Sequence, residues 1–344
     1  MRKIIIFILM LCCSPIGLFF GPSTMKVDAK QPTENPIEIR LVSTRVGPEN
    51  NEPVNIENPR IKYLGTLLLD SPHPAFGGFS DLLVSSDRKT FLAVSDLGFW
   101  LKADIEYAPD GSLQATGTKA RLGQLRNTDG KTYAIKFNAD AEGLSRAPQS
   151  GYLVSFERVH RINWFDNGHD LTLAGTPVDY PVPESVKKLP ENNGLETLLL
   201  LPDQRIFALS EGKNEKRALS YAATVKDGKW SEFSYRRSGD FNPTSAGNLP
   251  DGRIMVLERR YNGPGTLGIR FRTFPVAEIS PGVTINPDTL FEIASPLPRD
   301  NFEGLDTVTT EDGTTYAYII SDDNFSPVQH TLLTLFAISA EKAD

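Results

Sequence analysis

A short hairpin bounded by acidic residues recurs along this chain. Asn192 through Gly212 reads NNGLETLLLLPDQRIFALSEG, with an apolar run on each side of the turn Pro202-Asp203-Gln204-Arg205, Glu196 at the start and Glu211 fifteen residues later. Two apolar runs joined by such a turn read as a pair of antiparallel strands. The start of one strand and the end of its partner then meet at one edge, which places Glu196 beside Glu211. Asp81 and Asp96 bound a second copy and Glu142 and Glu157 a third, again fifteen residues apart. A fourth keeps the turn but has Thr244 and Arg259 at its ends, with Glu258 one residue earlier, and a fifth runs from Glu303 to Asp322 over nineteen residues.

First positions at 81, 142, 196, 244 and 303 are spaced by 61, 54, 48 and 59 residues. A repeat of that length, built of short strands and turns with no 3.6-residue apolar period, predicts an all-β chain folded as a β-propeller. Runs such as Leu198-Leu199-Leu200-Leu201 do not alternate, as expected of sheets covered on both faces. Five blades follow from the repeats, with a sixth left open by the long spacer 101–135. Strand-like segments at Ile61–Leu69 and Thr331–Ile338 are expected to pair, closing the last blade and removing its free edge.

The propeller is expected over residues 61–344, after a leader at 30–60 that carries a candidate extra strand at Ile37–Leu41. The first 29 residues have a basic start, an apolar stretch from Ile4 to Phe20 and a small-residue end at Val27-Asp28-Ala29, the pattern of a secretory signal. A secreted or periplasmic protein is therefore expected, the alternative being an uncleaved membrane anchor. Both cysteines lie in this segment, so a mature chain has no disulfide. It would carry 33 basic and 42 acidic side chains, a net charge of −9 that disfavours nucleic acid and anionic lipid as partners. A monomer acting on a small molecule is expected.

A propeller gathers the starts of its innermost strands around a central channel, so Asp81, Glu142, Glu196 and Glu303 are expected to converge. Carboxylates brought together repel unless protons, bases or a cation sit among them. An all-oxygen ligand set selects Ca²⁺ or Mg²⁺ over zinc. The bland alternative is that each Glu-Gly pair is a turn whose acid caps backbone N–H groups. Basic residues follow the second acids, with Arg158 and Arg161 after Glu157, Lys213 after Glu211, and Arg259 and Arg260 near Glu258. They offer donors for phosphate or carboxylate groups, or a solvated rim of ion pairs. The four histidines have no metal-ligand spacing, and no Gly-x-Ser-x-Gly elbow occurs.

The segments Gly78-Phe79-Ser80-Asp81-Leu82, Asp140-Ala141-Glu142-Gly143-Leu144, Gly194-Leu195-Glu196, Leu257-Glu258-Arg259, Asn301-Phe302-Glu303-Gly304-Leu305 and Ser321-Asp322-Asp323-Asn324-Phe325 with Gln329, Thr331 and Leu333 together resemble the phytase-like family, "esterase-like activity of phytase". The resemblance spans about residues 61–340 and implies an exported propeller with ester or phosphoester hydrolase activity. The Asp-Asp-Pro-Ala segment of calcium-dependent propeller phytases does not occur. Two function classes follow. In a hydrolase, Glu142, Glu196 and Glu303 are the catalytic candidates. Asp81, Glu142, Glu196, Glu303 and Asp322 are then the cation ligands, with Ca²⁺ the expected cofactor, while Arg158, Lys213 and Arg259 hold a small anionic ester or phosphoester. In the second class, a non-catalytic binding or scaffold propeller of the cell envelope, the same acids only fix blade geometry.

Overall fold

Apolar runs covered on both faces need neighbours on both faces, and five sheets standing around one axis supply them. The structure is a computed structural model that describes residues 35–48, 54, 56–212, 219–263 and 265–339. The expected signal segment and Lys213 lie outside the described residues. Among those described, no helix is long and apolar enough to cross a membrane.

The innermost strands are Phe79–Val84, Ala141–Arg146, Leu195–Leu200, Asn242–Asn248 and Phe302–Thr309, one from each of blades 1 to 5. They touch in that order and the fifth returns to the first, so the ring is closed with five blades. Residues of the spacer 101–135 form no further blade: Phe99–Tyr107 and Leu113–Gln124 are the outer strands of blade 1. In blade 5, Ile61–Asp70 pairs antiparallel with Thr331–Ile338, as the ends of the chain predict. Ile37–Arg40 adds to the outer edge of blade 1 and Val42–Val46 to that of blade 5, so the segment before the propeller covers two otherwise open edges.

Successive residues of a strand point to opposite faces, and here both faces meet a core. In blade 1, Phe91 and Ala93 join the apolar cluster shared with blade 5, while Leu92 and Val94 join the one shared with blade 2. Five such clusters fill the five gaps between blades. This is why leucine and phenylalanine runs need not alternate.

Each innermost strand carries a register shift near its start, between Phe79 and Asp81, Ala141 and Leu144, Leu195 and Thr197, Pro243 and Ser245, and Phe302 and Gly304. These are β-bulges, which turn one residue out of the ladder. The turned-out residues are Ser80, Glu142, Glu196, Thr244 and Glu303. Glu142-Gly143 and Glu303-Gly304 are thus bulges and not turns, and blade 1 places Ser80 where the repeat suggests Asp81. Gly143 and Gly304 let neighbouring strands approach closely. A Cβ on Gly143 would come within 2.7 Å of the Glu196 carbonyl oxygen, and one on Gly304 within 2.7 Å of the Asp81 Cα.

One residue further in, Asp81 is buried at the axis. Its Oδ1 accepts bonds from the Leu82 N–H (2.9 Å), the Ser245 hydroxyl (2.9 Å) and the Leu305 N–H (3.2 Å), and its Oδ2 accepts one from the Leu144 N–H (2.8 Å). An innermost strand has no ladder partner on its axial side, so N–H groups there need another acceptor. Asp81 is that acceptor for blades 1, 2 and 5 and takes the blade 4 hydroxyl as well. Ser155 closes the gap between blades 2 and 3 by donating to the Leu195 carbonyl at 2.6 Å. Asn248 ties blade 4 to the Leu200 carbonyl of blade 3, and Thr307 of blade 5 donates to the Asn248 carbonyl, both at 2.8 Å.

Asp81→Asn places an N–H group where one or more of these donors now points. The variant is expected to lose about 3 kcal/mol of stability, against about 1 kcal/mol for Ser245→Ala, which leaves the three N–H bonds in place. Thermal and denaturant unfolding of the two variants checks the ordering; equal losses would remove Asp81 from its place at the axis.

Candidate functional site

The bulges open onto one end of the channel. Beside each turned-out residue stands one at the end of the second strand of its blade: Asp96, Glu157, Glu211 and Asp322 directly after that strand in blades 1, 2, 3 and 5, and Arg259 within the last residues of that strand in blade 4. Four of the first set (Ser80, Glu142, Glu196 and Glu303) and all of the second line a cavity of about 260 Å³. Lys136, Asp140, Arg158, Asn192 and Asn324 complete its wall, which contains no apolar side chain. Eight carboxylates face three cationic groups across this space.

The structure therefore brings together Glu142, Glu196, Glu303, Asp322, Arg158 and Arg259 of the residues expected at the site. Asp81 is not among them: both its oxygens are engaged inside the channel, and it does not line the cavity. The physical reason is the bulge, which turns Ser80 outward and leaves the next residue facing the axis. Asp140, Lys136 and Ser80 are additional wall residues that the hairpin ends do not reveal. Asp140 stands two residues before Glu142 on the approach to the strand, and Lys136 belongs to the one-turn helix Lys136–Ala139 ahead of blade 2.

The cations are unevenly placed. Lys136 pairs with Asp96 and, at 3.0 Å, with Asp140, which also pairs with the Arg158 Nε. Across the cavity the Arg259 guanidinium lies 3.1 Å from Glu303 and 3.7 Å from Glu211. Arg158 and Arg259 are thus tied to carboxylates of the wall. Asn301 and Asn242 donate to Glu303 and Glu211 at 2.9 and 3.2 Å. Burial, then the charges of Glu196, Asp140, Glu157 and Glu303, push the Glu142 carboxyl well above the usual range. Burial and the carboxylates of Glu157, Glu211 and Glu303 do the same to Glu196, against a smaller opposing effect of Arg259. Burial also raises Glu303, to about 7, with Arg259 opposing, and raises Asp322, where Glu303 and Asp96 add to it.

The Ser321-Asp322-Asp323-Asn324-Phe325 segment divides its work. Asp322 and Asn324 face the cavity, and Asp323 accepts the Gly78 N–H at 2.9 Å and the Thr331 hydroxyl at 3.1 Å, fastening the loop to blade 1. Asn324 and Phe325 both have left-handed backbone, with φ of 49° and 50°. A Cβ on Gly78 would come within 2.7 Å of the Phe325 ring, so the glycine makes room for the loop.

Two features fit this cavity to a cation. One carboxylate oxygen each from Asp140, Glu142 and Glu157 lie within 4.8 Å of one another, and oxygens bound to Ca²⁺ on opposite sides at about 2.4 Å are separated by that distance. The Ser80 hydroxyl, in a residue only 5% exposed on the same wall, has no hydrogen-bond partner, and neither has the Asp96 Oδ1. Buried polar atoms are rarely left so, and a ligand in the cavity would satisfy them.

No curated protein matches the chain. Among solved structures it is similar to the PQQ-bound form of aldose sugar dehydrogenase from Streptomyces coelicolor, at 11% identity and a TM-score of 0.43, over 79% of this chain and 98% of that one. The sequence model of the phytase-like family, described as esterase-like activity of phytase, matches residues 74–325, which hold all five innermost strands and every wall residue of the cavity. The chain belongs to the phytase-like family, esterase-like activity of phytase.

Proposed function

We propose that this propeller is an exported, cation-dependent hydrolase of small anionic esters or phosphoesters, working at the carboxylate mouth of its channel. The convergence of the Asp140, Glu142 and Glu157 oxygens within 4.8 Å carries the reading. These three residues would hold the ion, and their hard oxygen donors suit Ca²⁺ or Mg²⁺. A bound ion of this kind polarises an acyl or phosphoryl oxygen and offsets the charge that develops there.

The chain's own groups do the rest. Glu196, next to the triad and held above its usual pKa, takes the proton of an attacking water. Glu303, near neutrality and paired with Arg259, returns a proton to the leaving group. Lys136 and Arg158, shared with Asp140, turn positive charge toward the anionic part of the substrate. Asp322 and the Ser80 hydroxyl complete the polar wall on the side of blades 5 and 1.

Added Ca²⁺ at about 100 times its Kd is expected to raise the melting temperature by a few degrees, and Glu142→Gln and Glu157→Gln each to remove most of that rise. Scanning calorimetry with Ca²⁺ and with chelator decides it. An unchanged wild-type curve, with no metal copurified, would sink the cation site. On hydrolysis of a soluble phosphoester or carboxyl ester, Glu196→Gln is expected to lower kcat by about 100-fold or more while the Ca²⁺-dependent melting rise persists. A calcium effect on melting with no turnover across both ester types would leave a scaffold.

The pH dependence follows from Glu303. Its folded pKa is raised, so without a cation its contribution is fully present below the unfolded carboxyl pKa of about 4.3 and is lost as pH rises to about 7. Glu142 and Glu196 act in the same direction. The melting temperature in chelator should fall between those pH values. The rise on adding Ca²⁺ should grow over the same interval, as the ion takes the place of protons. A melting temperature that climbs from pH 4.5 to 7 in chelator would contradict the clustering of uncompensated carboxyls.

A further inference from the structure

The cavity wall is wholly polar, but the lip beside it is not. Ile135 is 50% exposed, and Phe137 and Val159 are each 42% exposed. Ile135 and Phe137 flank Lys136, and Val159 follows Arg158, and both cations are tied to the one Asp140 carboxylate. The two segments are also linked directly, because the Arg161 guanidinium donates to the Asn138 carbonyl at 2.5 Å and to the Val159 carbonyl at 3.0 Å. Three exposed apolar residues therefore stand on two linked segments, each next in sequence to a cation of the cavity wall.

We propose that the ligand of this mouth is a dissolved amphiphile, with a small anionic head in the cavity and an alkyl or acyl chain lying over Ile135, Phe137 and Val159. The inference rests on the hydrolase reading for the place of the head and adds the chemistry of the rest of the molecule. A cavity of about 260 Å³ walled by charged and amide groups admits a phosphate- or carboxylate-sized head and gives no apolar surface to a chain. The lip gives that surface within one residue of Lys136 and Arg158. A single molecule from solution fits better than a bilayer, because the chain has a net charge of −7, which opposes approach to an anionic surface.

Binding of methyl-, butyl- and octylphosphonate, which have no ester bond to cleave, tests this by calorimetry in the presence of Ca²⁺ and below micelle formation. Octylphosphonate is expected to bind about tenfold or more tightly than methylphosphonate, since a few half-buried methylenes suffice for that ratio. The triple variant I135S/F137S/V159S should lose the chain-length dependence, keep its methylphosphonate affinity within about twofold and lower the melting temperature by no more than a few degrees, because all three residues are exposed over about half of their surface. Equal affinity for the three phosphonates, no binding of any, or a chain-length dependence that survives in the triple variant would each overturn the proposal. So would sedimentation with phosphatidylglycerol vesicles that the triple variant loses, which would assign the lip to a bilayer. Methyl and octyl phosphoesters separate the two readings: if neither is turned over while the phosphonates show the expected length dependence, the hydrolase reading fails and amphiphile binding stands.

Discussion

Everything at the centre of this propeller depends on how five strand edges are satisfied where they meet. Each innermost strand turns N–H and C=O groups toward the axis, where the neighbouring innermost strands touch it without forming a ladder. Burial pushes the Asp81 carboxyl well above its usual range, and the four donors around it oppose that shift without cancelling it. That one side chain fastens three strands by their backbone and a fourth by a serine. Thr197 stands at the equivalent place in blade 3, and its buried hydroxyl has no partner. The third blade is held instead by Ser155 and Asn248 from its neighbours.

The carboxylate mouth is a consequence of that tight centre. Because the strands are locked close together, the side chains thrown out by the bulges cannot move apart to relieve their repulsion. They are left with three ways to lower the energy: ion pairs, protons or a metal ion. Lys136, Arg158 and Arg259 supply the first for Asp96, Asp140, Glu211 and Glu303. Around Glu142 the dominant neighbouring charges are all negative, so the cluster on the side of blades 2 and 3 relies on the other two.

The fold was legible because propeller blades repeat and their apolar runs have no alternation to obscure. The convergence of Glu142, Glu196, Glu303 and Asp322 was legible for the same reason, since equivalent positions in a ring must meet. The bulge was not. It adds no residue type of its own, and in blade 1 an aspartate stands one place beyond it and imitates the acids of the other blades. A finer signal was present: an apolar residue or proline precedes every turned-out position, at Phe79, Ala141, Leu195, Pro243 and Phe302, and that alignment selects Ser80. Lys136 had no such signal, because forty residues of chain separate it from Asp96 and only the path of the blade 1 to blade 2 connection brings them together.

The pairing of Ile61–Asp70 with Thr331–Ile338 also dictates an order of events. The strand made early in synthesis cannot find its partner until nearly the whole chain exists, and closing so long a loop is slow compared with forming any one hairpin. Blades 1 to 4 have all their main strands within continuous segments and can form as the chain lengthens. Blade 5 cannot, and until it does, its unpaired strands and the apolar faces of blades 4 and 1 remain open to other chains. The last step of folding is therefore also the step that most needs protection from aggregation.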